Sequence, residues 1–192
     1  MKKSLLRTFA TAIAFAPALA FAHPDHAHGA SFMQGLMHPV AGVDHLLAMI
    51  AVGIWAAQQG GRARWIAPLS FVSMMCIGTA LAAASVVLPN VETNIALSVT
   101  VLGAAIALSL RAHPTIGATI VGAFAVFHGY AHGVEAGGVS GPFVFGMLCT
   151  TAALQATGIA LAIAMKQQLS NRAVRWTGAS IALGGLALLV GA

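Results

Sequence analysis

Length, composition and charge indicate a membrane protein. Of the 192 residues, 59% are hydrophobic and only 13 are charged, nine Lys or Arg and four Asp or Glu. A soluble domain usually carries about 25% charged residues, and a chain of this length still exposes roughly a third of its unfolded surface after folding. The composition therefore excludes a water-soluble globular protein. No Lys/Arg cluster follows the pattern of a nucleic-acid site, despite a formal net charge of +5.

The first 22 residues have the pattern of a secretory signal peptide. A positively charged start (MKKSLLR) precedes an apolar run, and the small residues of AFA at 20–22 precede the predicted cleavage site. We predict a signal peptide over residues 1–22 and one transmembrane transport domain over residues 23–192. The alternative is an uncleaved first transmembrane helix, which the break at Pro17 disfavours.

Six apolar stretches follow, and each could form a transmembrane helix of about 20 residues. They cover residues 36–58, 65–88, 92–110, 115–135, 142–165 and 174–191. Short breaks rich in Gly, Pro or charge separate them. The sequence therefore predicts an all-α polytopic membrane protein with six transmembrane helices after a cleavable signal peptide. Related His and acid motifs in the first and fourth spans make a 3+3 inverted repeat a further hypothesis.

The distribution of cations independently predicts orientation. If the mature N-terminus is outside, the first, third and fifth connections are cytoplasmic, which is where Lys and Arg accumulate. All six cations of the mature chain fall within these connections or at their edges: Arg62, Arg64, Arg111, Lys166, Arg172 and Arg175. We therefore predict a protein of the bacterial inner membrane whose mature N-terminus and C-terminus are both periplasmic.

The first predicted span carries a His-Pro-x4-Asp-His motif made of His38, Asp44 and His45. In one regular helix the two imidazoles would share a face about 10.5 Å apart along the axis, and Pro39 would suit the first helical position. An uncompensated carboxylate such as Asp44 is costly in hydrocarbon. A metal cation would compensate it, and neutral imidazole is a second ligand type for transition metals.

The fourth predicted span carries a related motif. His128, His132 and Glu135 are spaced i, i+4 and i+7, so they line one stripe of a helix. Gly129 and Gly133 would allow another helix to approach beside that stripe. Both motifs fall near the outward ends of their spans, so we expect them to face each other.

Depth along the helices predicts two tiers of metal ligands. Counting about 1.5 Å per residue places a shallow tier within roughly 5 Å of the outer boundary and a deep tier roughly 10 to 13 Å inside it. The shallow tier is His38, His132 and Glu135, and the deep tier is Asp44, His45 and His128. A single isolated His would more often be a hydrogen-bonded interior residue, but two clusters favour a metal site.

Other residues are weaker candidates. His23, Asp25, His26 and His28 at the mature N-terminus could capture metal or form a solvated tail. Gln155, in the fifth span, is a candidate for lining the pathway. No catalytic residue and no prosthetic group are predicted.

The two motifs, with the signal peptide and six spans, resemble those of the HupE/UreJ family of nickel and cobalt permeases. The residues that carry the resemblance are His38-Pro39, Gly42, Asp44 through Met49, Val52 through Ala57, and Phe127 through Glu135. The resemblance implies uptake of Ni²⁺, and in some members Co²⁺, that serves nickel enzymes such as hydrogenase or urease. In the fifth span the family tends to carry a His where this chain has Gln155.

The predicted function is a secondary transporter and not an enzyme. Ni²⁺, with Co²⁺ or Zn²⁺ as alternatives, would be the bound substrate, and the lipid bilayer and this ion would be the partners. An intramembrane zinc metallohydrolase that uses the same His/Asp cluster is the main alternative. A bis-His haem electron carrier is another, which Asp44 and Glu135 disfavour.

Overall fold

The computed structural model describes residues 31–191, which form seven α-helices and no β-strand. The helices are α1 (Phe32–Ala41), α2 (Val43–Gln59), α3 (Ala63–Ala83), α4 (Val91–Ala107), α5 (Pro114–Glu135), α6 (Gly141–Gln168) and α7 (Asn171–Gly191). The predicted signal peptide and the N-terminal His23, Asp25, His26 and His28 lie outside the described residues.

Helix length and composition fit a membrane protein. Three of the described helices, α3, α6 and α7, are long and apolar enough to cross a membrane, and α1 with α2 would add a fourth span if the bent pair crosses once. α4 is apolar but has 17 residues, and α5 contains the polar fourth-span motif. The last five predicted spans each coincide with one helix. The count of six spans and the inverted repeat stay predictions.

The first predicted span is not one straight helix. α1 and α2 are bent by 86° at Gly42, whose backbone is extended with φ −94° and ψ 124°. The prediction that His38 and His45 share one helix face is therefore wrong, because they lie on different helices. The depth counted along 36–58 as a single helix is wrong for the same reason.

α1 begins earlier than the sequence predicted. The Ser31 hydroxyl accepts a hydrogen bond from the Gln34 backbone N–H, and the Gln34 side chain accepts one from the Ser31 N–H. This reciprocal pair is a capping box, which satisfies N–H groups that the helix itself leaves free. Pro39 consequently lies inside α1 and not at its first position.

Glycine residues allow the helices to pack closely. α3 packs along α5, α4 along α7, and α6 along both α1 and α2. A Cβ atom at Gly129 of α5 would overlap the carbonyl group of Met75 on α3, and one at Gly53 of α2 would overlap the carbonyl group of Gln155 on α6. In a membrane the hydrophobic effect does not drive helices together, so association depends on close packing. Such small residues allow it, because they let two helix backbones come into van der Waals contact. The close approach predicted at Gly129 and Gly133 is confirmed, since Gly133 lies against Thr79 of α3.

Side chains near the C-terminus of α2 fix this helix against α4. Trp55 Nε1 and Gln59 Nε2 each donate to the Leu110 carbonyl at 3.0 Å, and Gln58 Nε2 donates to the Ile106 carbonyl at 3.1 Å. These carbonyl groups belong to the end of α4 and the turn after it, where the helix itself supplies no N–H group to bond them. The arrangement holds one end of α2 and thereby positions the polar residues at its other end.

Candidate metal centre

The six candidate residues of the two motifs meet at one end of the helical bundle. His38 is in the last turn of α1, Asp44 and His45 are in or next to the first turn of α2, and His128, His132 and Glu135 are in the C-terminal part of α5. The bend at Gly42 brings the end of α1 and the start of α2 to the same place. The two motifs are therefore in contact, as predicted, although the route of the chain differs.

Three of these side chains form an outer cluster, made of His38, His132 and Glu135. One ligand atom from each lies within 4.8 Å of the other two, and His38 Nε2 is 3.0 Å from Glu135 Oε2. The His38 and Glu135 side chains are 23% and 48% exposed, whereas His132 is buried. The outer cluster is the predicted shallow tier, and it opens to the surface on its acidic side.

Three imidazoles form an inner cluster, made of His45, His128 and His132, and all three are buried. The ring centroid of His45 is 4.2 Å from that of His132 and 4.9 Å from that of His128. His132 also lies 4.9 Å from the His38 ring, so it belongs to both clusters and not to the shallow tier alone. The four imidazoles form one continuous row from a partly exposed ring to a fully buried one.

Asp44 acts on its neighbour in the chain. Its Oδ1 accepts hydrogen bonds from the His45 backbone N–H at 2.8 Å and from His45 Nδ1 at 2.9 Å. Because an ionised carboxylate can only accept, the proton of the neutral ring lies on Nδ1 and the lone pair lies on Nε2. The Asp44 side chain is 21% exposed against 4% for His45, so the carboxylate lies nearer to the surface of the protein than the imidazole does.

The position of Asp44 explains how its charge is accommodated. The sequence suggested a metal cation as the compensating partner, but the carboxylate also lies at the N-terminus of α2, where the helix dipole favours a negative charge. The imidazole N–H of His45 adds a charge-assisted hydrogen bond. A metal ligand supplied by Asp44 would therefore have to be its second oxygen, Oδ2.

Gly42 leaves the space that this pair needs. A Cβ atom at position 42 would lie 2.7 Å from Asp44 Oδ1 and 3.1 Å from His45 Nδ1. The φ and ψ angles of Gly42 are open to other residues, so the requirement for glycine here is steric and not conformational.

Several buried nitrogen atoms of this region have no hydrogen-bond partner within the described residues. They are His45 Nε2, His128 Nδ1, both ring nitrogens of His132, and Gln155 Nε2. Folded proteins leave few buried polar groups unpaired, and each one calls for an explanation. Lone pairs of three neighbouring imidazoles are suited to binding a transition-metal ion.

Gln155 is buried but is not part of either cluster. Its backbone on α6 lies against Gly53 of α2, which follows His45 by eight residues and so lies roughly 12 Å further along the helix axis. The backbone of Gln155 therefore lies further along α2 than the inner cluster does.

Sequence reasoning did not identify three residues beside the clusters. Ser98 Oγ lies 2.9 Å from His128 Nε2, and the Phe71 ring is 5.4 Å from the His128 ring. Glu92, in the first turn of α4, lies within electrostatic range of Asp44 and Glu135. In the sequence these residues are only a single hydroxyl, a single aromatic ring and a single acid within apolar stretches. The residues that they approach are distant in sequence, so spacing alone does not connect them.

Comparisons with known proteins give the family. The sequence matches the family described as HupE / UreJ protein over residues 11–188. It is also 42% identical to "Protein HupE" of Rhizobium leguminosarum bv. viciae over 194 aligned positions that cover 100% of both chains. No solved structure matches the chain significantly. HupE/UreJ proteins are associated with nickel and cobalt transport, and the extent of both matches shows that this chain belongs to the HupE/UreJ family.

Proposed function

We propose that this protein is a secondary transporter that moves Ni²⁺, with Co²⁺ as a second substrate, from the periplasm into the cytoplasm. The observation that carries the proposal is the continuous row of four imidazoles from His38 to His128, which begins at a partly exposed carboxylate and ends in a fully buried ring. Family membership supports nickel as the substrate.

The outer cluster would capture the ion. Glu135 offers a charged oxygen at the surface, and His38 and His132 offer nitrogen atoms within 4.8 Å of it and of each other. A hydrated divalent ion could exchange waters for these ligands one at a time. Imidazole with carboxylate suits Ni²⁺, Co²⁺ and Zn²⁺, whereas Mg²⁺ and Ca²⁺ prefer oxygen ligands alone.

The inner cluster would receive the ion next. His132 lies against both His38 and His45, so it can remain bound while the other ligands are exchanged. Neutral imidazoles do not offset the positive charge of a buried metal ion. Asp44, which is hydrogen-bonded to His45, supplies a nearby negative charge that does. The unpaired nitrogen of Gln155 makes this residue our candidate for lining the path beyond the inner cluster.

The membrane topology that we propose has six spans, with the signal peptide over residues 1–22 removed and both termini periplasmic. All six cations of the mature chain then lie in cytoplasmic connections or in the helix turns next to them, and both clusters lie at the opposite end of the bundle. The helix pairing α3 with α5 and α2 with α6 is what an inverted repeat of two three-span halves would produce. This pairing supports the repeat hypothesis.

Uptake of radiolabelled nickel by proteoliposomes tests the proposal. We expect saturable accumulation above that of protein-free vesicles, with competition by unlabelled cobalt. The family relationship gives no support to the metallohydrolase alternative, and turnover of a lipid or peptide without metal accumulation would favour it over transport.

A further inference from the structure

Ser98 is in contact with the inner cluster from a helix that carries none of its imidazoles. It lies on α4, is fully buried, and approaches His128 Nε2 with its hydroxyl oxygen at 2.9 Å. The same oxygen lies 2.6 Å from the Ile95 carbonyl oxygen of its own helix. These two contacts together decide which groups donate and which accept.

The proton of the Ser98 hydroxyl is already used. Two oxygen atoms at 2.6 Å need a hydrogen between them, a carbonyl cannot supply one, and a hydroxyl has only one to give. Ser98 therefore donates to Ile95 and can only accept from His128. The proton of the neutral His128 ring must then lie on Nε2, which leaves the lone pair on Nδ1.

The nitrogen assigned in this way is the one without a partner. His128 Nδ1 is buried and has no hydrogen bond within the described residues, and the same is true of His45 Nε2. The His45 ring is fixed in a parallel manner by the Asp44 carboxylate. One carboxylate and one hydroxyl thus set two neighbouring rings, whose centroids are 4.9 Å apart, in opposite tautomers.

We propose that Ser98 is a positioning residue that holds His128 as the Nε2–H tautomer and so makes Nδ1 its metal ligand atom. The inner cluster would then bind a divalent transition-metal ion through His45 Nε2, His128 Nδ1 and a nitrogen of His132. Partners that fix the tautomer of a ligating His are a general feature of metal sites. The proposal rests on the proposed function for the metal, but its statement about the tautomer does not.

The tautomer is measured directly in the metal-free protein. The ¹⁵N chemical shifts of imidazole distinguish a protonated nitrogen from one with a lone pair, and the His128 signals are assigned by their loss in H128Q. We expect the wild-type ring to be protonated at Nε2. Protonation at Nδ1 would overturn the proposal. This outcome is read from the wild-type protein and so does not depend on whether a variant folds.

Ser98→Ala tests the consequence. It removes the acceptor of the Nε2 proton, so we expect mixed His128 tautomers and a nickel affinity lowered about 10- to 100-fold, the usual cost of losing such a partner. Ser70→Ala is the matched control, because it too removes a hydroxyl that forms a hydrogen bond to another helix, in this case to the Ala118 carbonyl at 2.8 Å. The control should keep both the tautomer and the affinity.

The results separate this inference from the proposed function. Unchanged His128 shifts and unchanged nickel affinity in Ser98→Ala would overturn the role of Ser98 while leaving transport intact. The expected tautomer in a wild-type protein that neither binds nor transports nickel would support the tautomer assignment and refute the metal site.

Discussion

Replacing Gly42 by Ala should separate the geometry of the site from the stability of the fold. The new Cβ atom would lie 2.7 Å from Asp44 Oδ1, whereas ordinary van der Waals contact begins at 3.4 Å. The extended backbone of Gly42 is open to alanine. The helices can therefore stay in place, and the carboxylate of Asp44 has to move by about 0.7 Å.

The size of the effect follows from the hydrogen bond that this movement lengthens. The bond between Asp44 Oδ1 and His45 Nδ1 measures 2.9 Å. The new Cβ atom would lie 2.7 Å from Oδ1 and 3.1 Å from Nδ1, so a shift of Oδ1 by about 0.7 Å directly away from Cβ lengthens this bond to about 3.2 Å, the long end of the range for a hydrogen bond. A hydrogen bond to a charged group contributes about 1.5–3 kcal/mol. If about half of this free energy is lost from metal binding, the nickel affinity falls by about 3- to 10-fold.

Calorimetric titration of the purified protein with nickel chloride measures this loss. Gly141→Ala is the control, because a Cβ atom at Gly141 meets nothing within 4 Å. In an Asp44→Ala background, where the carboxylate oxygens are already gone, Gly42→Ala should cost much less, since the two changes act on one contact. Wild-type affinity in Gly42→Ala, or an equal loss in both backgrounds, would refute the reasoning.

Three further predictions concern other parts of the protein. His132→Ala should lower the nickel affinity measured by calorimetry more than Glu135→Gln does, because His132 belongs to both clusters. An equal or smaller loss of affinity in His132→Ala would contradict this shared role. Gly129→Leu should lower the thermal unfolding temperature, since overpacking costs about 1–3 kcal/mol; an unchanged value beside Gly141→Leu would contradict the α3–α5 contact. Gln155→Leu should slow nickel uptake by proteoliposomes while leaving calorimetric affinity unchanged, and normal uptake would remove Gln155 from the pathway.

The helices could be predicted well because apolar length is a strong signal. Five predicted spans coincide with α3 to α7, and Gly129 lies at a close helix contact as its position beside His128 suggested. These features depend on residues near one another in sequence. The spacing of His128, His132 and Glu135 on one helix likewise predicted that they would act together.

The bend at Gly42 could not be predicted from hydropathy. The stretch 36–58 is apolar on both sides of the glycine, so its composition does not distinguish one helix from two at 86°. The local signals in this region are the Ser31 capping box, which marks the start of α1, and the Asp44 carboxylate, which lies at the start of α2. Both are local hydrogen bonds, and neither changes the mean hydropathy.

The partners of the buried imidazoles were also hidden. Ser98 is one hydroxyl in an apolar helix, and its contact with His128 joins residues 30 positions apart. Asp44 was identified as a candidate ligand, but its bond to the adjacent His45 ring depends on how the side chains fold back at the helix N-terminus. Sequence spacing predicts which residues meet, and the structure adds which of their atoms are already paired.

Nickel uptake by proteoliposomes that contain either the wild type or a His45→Ala, His132→Ala double variant tests the central claim most directly. These two residues join the outer cluster to the buried end of the imidazole row. We expect saturable uptake of radiolabelled nickel by the wild type and none above protein-free vesicles by a folded double variant. Uptake at the wild-type rate by the double variant would contradict a path through this row.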